Sequence, residues 1–187
     1  MSGNLLGLDI STSCTGYSIL SPDGTLLHQG YVRFKPVQSH FCRVSELRDI
    51  ILSYHDTWHI ERIFIEQNFQ VFRAGFSSAK TLTTLTRFNG MVSYSLFESL
   101  GIVPKYINVN SARKGLGIKI IREKKCGKST KEQVLKWAID QLANSTFMWP
   151  TKTLKSGPRK GEIISDPGCY DIADAYVMAR AGIVGIN

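Results

Sequence analysis

Four acidic residues stand where a folding chain has reason to avoid charge. Asp9 closes the apolar run "LLGLD" and Glu66 closes "RIFIE", so each carboxylate ends a segment that reads as a buried strand. Asp171 and Asp174 lie three apart in "DIADAYVMA", on one face of a helix whose other positions, Ile172, Ala173, Ala175, Val177 and Met178, are small or apolar. If the two strands are parallel neighbours, Asp9 and Glu66 share the carboxyl edge of a sheet, the crevice where open α/β sheets bind ligands. Four converging carboxylates raise one another's pKa values unless a cation compensates them. Oxygen ligands without nearby His or Cys suit Mg²⁺ or Mn²⁺, and two such ions about 4 Å apart can clamp an in-line displacement at phosphorus. Taken singly, each acid also has a plainer role: Asp9 capping the Ser/Thr turn after it, Glu66 pairing with an arginine, Asp171 favouring a helix N-terminus.

The elements that must position these acids can be read in order. Leu5 to Ile10, Gly16 to Leu20 and Thr25 to Phe34 read as three antiparallel strands, with "SPDG" at Ser21 to Gly24 as the second turn. Ser39 caps a helix whose apolar face carries Phe41, Val44, Leu47, Ile50, Ile51 and Tyr54. After Arg62 to Glu66 and the loop "QNFQVFRAGF", Ser77 or Ser78 opens a long helix through Leu82, Leu85, Phe88, Val92, Leu96 and Leu100, stopped at Gly101. "IVPKYINV" follows as a strand, and strand, helix, strand implies a right-handed parallel crossover. Apolar periodicity is lost from Lys114 to Lys128. Ser129 and Glu132 then form a capping box for a helix bearing Val134, Leu135, Ala138, Ile139 and Leu142. Thr151 to Glu162 reads as an exposed loop, and a last helix spans roughly Tyr170 to Ala181.

With 187 residues, 43% of them hydrophobic, the chain fits one domain, residues 1–187, better than two. It has no transmembrane run and no signal peptide, so an intracellular, cytoplasmic protein is expected. Cys14, Cys42, Cys126 and Cys169 are scattered singly, without zinc-site or disulfide-scaffold spacing. The net charge of +8 is concentrated late: Arg113, Lys114, Lys119, Arg122, Lys124, Lys125, Lys128, Lys131 and Lys136, then Lys152, Lys155, Arg159 and Lys160. A backbone of phosphates is the natural counterpart, because each phosphate neutralised releases counterions.

The order of "GLDISTSCTGYSIL", "IFIEQNF", a long helix, a G-x-x-x-K-x-Q-V segment at Gly127 to Val134 and a terminal D-x-x-D-A resembles the RuvC family of Holliday-junction resolvases, within the RNase H-like superfamily. The likeness covers nearly the whole chain. It implies an α/β, RNase H-like fold: a mixed five-stranded sheet, its first three strands antiparallel, flanked by helices. It also implies a site of two Mg²⁺ or Mn²⁺ ions on Asp9, Glu66, Asp171 and Asp174, and a DNA-associated homodimer that makes paired symmetrical nicks in four-way junctions. Lys131 takes the place of a lysine that stabilises charge on the cleaved phosphate, with Lys114 or Lys128 assisting, and Phe69 that of an aromatic inserted at the junction centre. Phe72 and Arg73 beside it, with Lys119, Lys124 and Lys125, complete the expected DNA contacts. The chain departs from the family at Ile10 and Ser11, where "D-P-G" is usual, and across Ala143 to Gly168, which is longer than the likeness suggests.

Three look-alike motifs are set aside. "HDTWH" at His55 to His59 has Asp where the zinc motif needs Glu and lies at a helix end. "CGKST" lacks the leading glycine of a P-loop, since Arg122 stands there, and "GLG" at Gly115 to Gly117 is too short for a dinucleotide fingerprint. Two other functions suit parts of the pattern. An actin-like or sugar-kinase-like ATP-binding module also begins with strand, Asp and Ser/Thr-rich hairpin, but needs two such domains. A non-catalytic junction-binding relative would have no use for bare carboxylates beside phosphates.

Overall fold

The computed structural model describes residues 3–67 and 79–186. Strands β1 (Asn4–Asp9), β2 (Cys14–Leu20) and β3 (Leu26–Arg33) form the antiparallel meander, and β4 (Ile60–Glu66) joins β1 in parallel on its other side. The crossover helix α2 (Ala79–Leu100) leads to β5 (Lys105–Ile107), parallel to β4, so the sheet order is β3-β2-β1-β4-β5. This is the mixed five-stranded sheet expected, flanked by helices on both faces.

Period-two alternation splits the core into two layers. Leu6, Leu8, Ile63 and Ile65 face α1 (His40–Trp58) and α2, against Val44, Leu47, Ile51, Phe88, Val92 and Leu96. Leu5 and Phe64 face the opposite way, toward α3 (Val109–Gly115), α5 (Thr130–Gln141) and α6 (Gly168–Ile183), which contribute Ala112, Leu135, Ala138, Ala173 and Val177. Helix ends form where the side chains dictate. Ser39 Oγ accepts from the Cys42 amide at α1, Ser129 and Glu132 close the capping box of α5, and Gly101 leaves α2 in the left-handed region, φ 68°.

Several expectations are corrected. Phe41 is 75% exposed, because the face of α1 set by Val44, Leu47 and Ile51 turns its first-turn neighbour outward, and Ile139 of α5 is 38% exposed and outside the buried core. The aperiodic stretch from Lys114 holds only the end of α3 and the four-residue α4 (Glu123–Cys126), too brief to show a period. Thr151 to Glu162 is no simple loop: β6 (Thr151–Thr153) pairs antiparallel with β7 (Ile163–Ser165) in a separate ribbon. Ser77 and Ser78, the expected cap of α2, lie outside the described residues. Among the described residues no helix is long and apolar enough to cross a membrane.

Candidate active site

Strand parity and register bring the first two acids together. Leu5 and Gly7 of β1 face α6, so Asp9, two further on, faces the same way; Phe64 does the same for Glu66. Leu8 pairs with Ile65 in the parallel ladder, which makes Asp9 and Glu66 the next step along adjacent strands, about 4.8 Å apart in the backbone. Helix α6 supplies the other two. It lies unusually close on the sheet because Gly7 and Gly16 have no side chains: a Cβ on Gly16 would collide with the Asp171 carbonyl, and one on Gly7 with the backbone of Ala175 and Ala179. That contact seats Asp171, in the first turn of α6, beside Cys14, and carries Asp174, one turn on, into the space over Asp9 and Glu66.

The acids act on one another electrostatically, Asp9 most of all. Burial raises the Asp9 carboxyl well above its ordinary range, and Glu66, Asp174 and Asp171 push it further, while Lys131 pulls it down. Glu66 is pushed up to about 7, by burial first and Asp174 second, against the pull of Arg113 and Lys131. Burial likewise raises Asp174, opposed by Arg113, and Asp171, opposed by a hydrogen bond with Cys14 and by Lys131. Lys131, exposed in the first turn of α5, is thus felt by all four acids. Lys114, Lys119, Lys124, Lys125 and Lys128 are exposed on α3, α4 and their connections, and none of them is among the charges that shift Glu66 or Asp174. Phe69, Phe72 and Arg73 lie outside the described residues.

The cluster is close without being a finished cage. Among the described residues no three His, Cys, Asp or Glu side chains are placed to hold a metal ion together. Asp174 Oδ1 is engaged by Arg113 Nη2 at 3.0 Å, a pair with both side chains largely out of water. The donor set nevertheless fits a hard divalent cation: four carboxylates, no soft ligand, and a mutual repulsion that such an ion relieves. Asp9 is enclosed by protein yet keeps partial solvent access, so an ion could reach it.

Arg113 is the site residue that sequence reasoning passed over, one cation in a basic run with nothing to separate it from Lys114. Its removal leaves a buried carboxylate unpaired, at a cost of about 3 kcal/mol. Arg113→Met is therefore expected to lower the melting temperature most in chelator at pH 8. At pH 8 Glu66, raised to about 7, is mostly ionised and depends on the Arg113 charge; at pH 5, below that value, it is protonated and the deficit shrinks. A deficit equal at both pH values would contradict this role.

The look-alike motifs resolve into helix punctuation. His59 is the left-handed C-cap of α1, its amide on the His55 carbonyl, and "CGKST" is the break between α4 and α5, with Gly127 left-handed and Ser129 an N-cap.

No family model and no curated protein sequence matches the chain. Solved structures do match in fold. The Thermus thermophilus RuvC in complex with a Holliday junction substrate aligns with a TM-score of 0.62 and 18% identity over 98% of this chain and 96% of that one. A second T. thermophilus RuvC structure gives 0.59 and 20% over 97% and 96%. The yeast mitochondrial Holliday junction resolvase Ydc2 gives 0.58 and 14% over 97% of this chain and 78% of its own. At these identities the likeness establishes a shared fold.

Proposed function

We infer that this chain is a divalent-metal-dependent endonuclease for branched DNA that resolves four-way junctions by paired, symmetrical nicks. The reading is supported by Asp9 and Glu66 ending adjacent parallel strands, with Asp171 and Asp174 of α6 near enough to raise the Asp9 carboxyl, in a fold whose structural neighbours include a resolvase bound to a Holliday junction. Asp9, Glu66, Asp171 and Asp174 would hold Mg²⁺ or Mn²⁺, which supplies Lewis-acid activation of water and of the leaving oxygen. The sheet edge fixes two of these carboxylates on rigid backbone, and α6 fixes the other two. Lys131 would supply an exposed ammonium whose charge already acts on all four acids, to stabilise negative charge developing on a scissile phosphate. The exposed lysines of α3 and α4 provide backbone contacts for DNA. Two such sites in a homodimer would cut related strands, and exposed Tyr94 and Phe97 on the outer face of α2 offer apolar surface for pairing.

End-labelled four-way, flapped and linear DNA, incubated with Mg²⁺ or chelator, tests the reading. Paired nicks confined to the four-way junction and abolished by chelator are expected; general nicking of linear duplex would defeat it. Lys131→Ala should lower the cleavage rate roughly 10- to 100-fold while junction affinity changes less than about threefold, since one ammonium adds little to a many-phosphate grip. Unchanged cleavage by that variant would remove Lys131 from the chemistry.

A further inference from the structure

The β6–β7 ribbon stands apart from the five-stranded sheet, and the acid site makes no use of it. Residues 151–165 carry Lys152, Lys155, Arg159 and Lys160 against Glu162 alone, a local excess of +3. Arg159 is bound to Glu162 at 2.7 Å, whereas Lys152, Lys155 and Lys160 have no ion pair among the described residues. Lys155 and Lys160 are exposed, and the tip turns through Gly157 and Gly161, both at positive φ, where the Lys160 amide donates to the Gly157 carbonyl.

Its base, by contrast, is held firmly. The amide of buried Asp166 donates to the Pro150 carbonyl at 2.9 Å, closing the ribbon, and the Cys169 thiol donates to the same carbonyl. Asp166 Oδ1 accepts from Arg33 Nη2 at 2.7 Å and from the Gly168 amide at 2.8 Å. This clamp joins the ribbon to the site. Arg33 lies opposite Cys14 in the β2–β3 ladder, and Asp166 stands five residues before Asp171 of α6.

We propose that the β6–β7 ribbon is a DNA arm, lying along the sugar–phosphate backbone of the duplex that leads into the acid site, with Lys152, Lys155 and Lys160 neutralising its phosphates. This rests on the endonuclease reading above. A rigid mount beside the reacting phosphate makes such a contact a positioning device as well as a source of affinity, because a duplex gripped there enters the site in one register.

The test is a salt series of junction binding by the full chain in chelator, for the unaltered protein and for K152A/K155A/K160A, with a control losing the same charge at Arg48, Lys105 and Lys136. Each lost phosphate contact lowers the salt slope by about 0.9, so the ribbon variant should lose roughly 2 to 3 from the slope and about tenfold or more in affinity. The control should lose much less, and lysine-to-arginine replacement at the three ribbon positions should restore binding. Equal loss in ribbon variant and control, or none in either, would overturn the proposal while leaving the endonuclease reading intact. Failure of the unaltered protein to bind junctions at all would overturn that reading and the arm with it.

Discussion

Asp9→Asn should abolish strand cleavage, by on the order of 10³-fold or more, while junction binding in chelator is retained or strengthened. Asp9 is the carboxylate on which the other three act, each of them pushing its pKa upward. Asparagine keeps its shape and removes its charge, and with it the strongest reason for a divalent cation to settle there. Two further readouts separate this from a folding defect. At alkaline pH, where the cluster carries the most charge, one fewer negative charge relieves repulsion, so metal-free Asp9→Asn should melt higher than the unaltered protein, a gain of about 1 kcal/mol that shrinks as the pH falls. Removing charge beside a phosphate backbone should also leave affinity undiminished. A variant that melts higher, binds junctions and still cuts at the original rate would exclude Asp9 from the reaction.

Gly16→Ala should be among the most damaging substitutions in the molecule although it adds a single methyl group. The new Cβ would lie on the carbonyl of Asp171, and a helix backbone, unlike a side-chain tip, cannot swing aside. Either α6 lifts from β2 or the strand distorts, at an expected cost of about 3 kcal/mol. Lifting α6 withdraws Asp171 and Asp174 from Asp9, so cleavage should fail even in molecules that remain folded. Gly90→Ala is the control: Gly90 lies within α2 with nothing close to where its Cβ would stand, and alanine there should be neutral or stabilising by about 0.5–1 kcal/mol. Denaturant melts of both variants decide the matter, and a Gly16→Ala protein as stable and active as the Gly90→Ala one would contradict the packing described.

What the sequence made legible follows from the range over which each signal acts. Asp9 and Glu66 stood out because a charge ending an apolar strand is locally anomalous, and Asp171 and Asp174 because their spacing shares a helix face; each needs only a few neighbouring residues to be seen. Ser39, Ser129 and Gly101 were readable as helix ends for the same reason. Arg113 was not, because its importance comes from Asp174, sixty-one residues away, and a seven-residue helix with Val109 and Ala112 alone buried displays no period. The need for glycine at positions 7 and 16 comes from the backbone of α6, more than 150 residues away, and has no local signature. The ribbon was hidden by its Gly- and Pro-rich tip, which reads as loop, while the pairing of Lys152 with Ile164 is a long-range fact. Among the lysines, charge pattern alone could not separate Lys131, whose charge lowers all four carboxyls, from Lys124 and Lys125. The family likeness singled it out.

The most direct test is anomalous diffraction from crystals of the protein grown with Mn²⁺. The account predicts manganese peaks among Asp9, Glu66, Asp171 and Asp174, reduced or lost in Asp9→Asn crystals under the same conditions. A fully ordered site with no manganese, its four acids instead paired to cations of the chain itself, would contradict it.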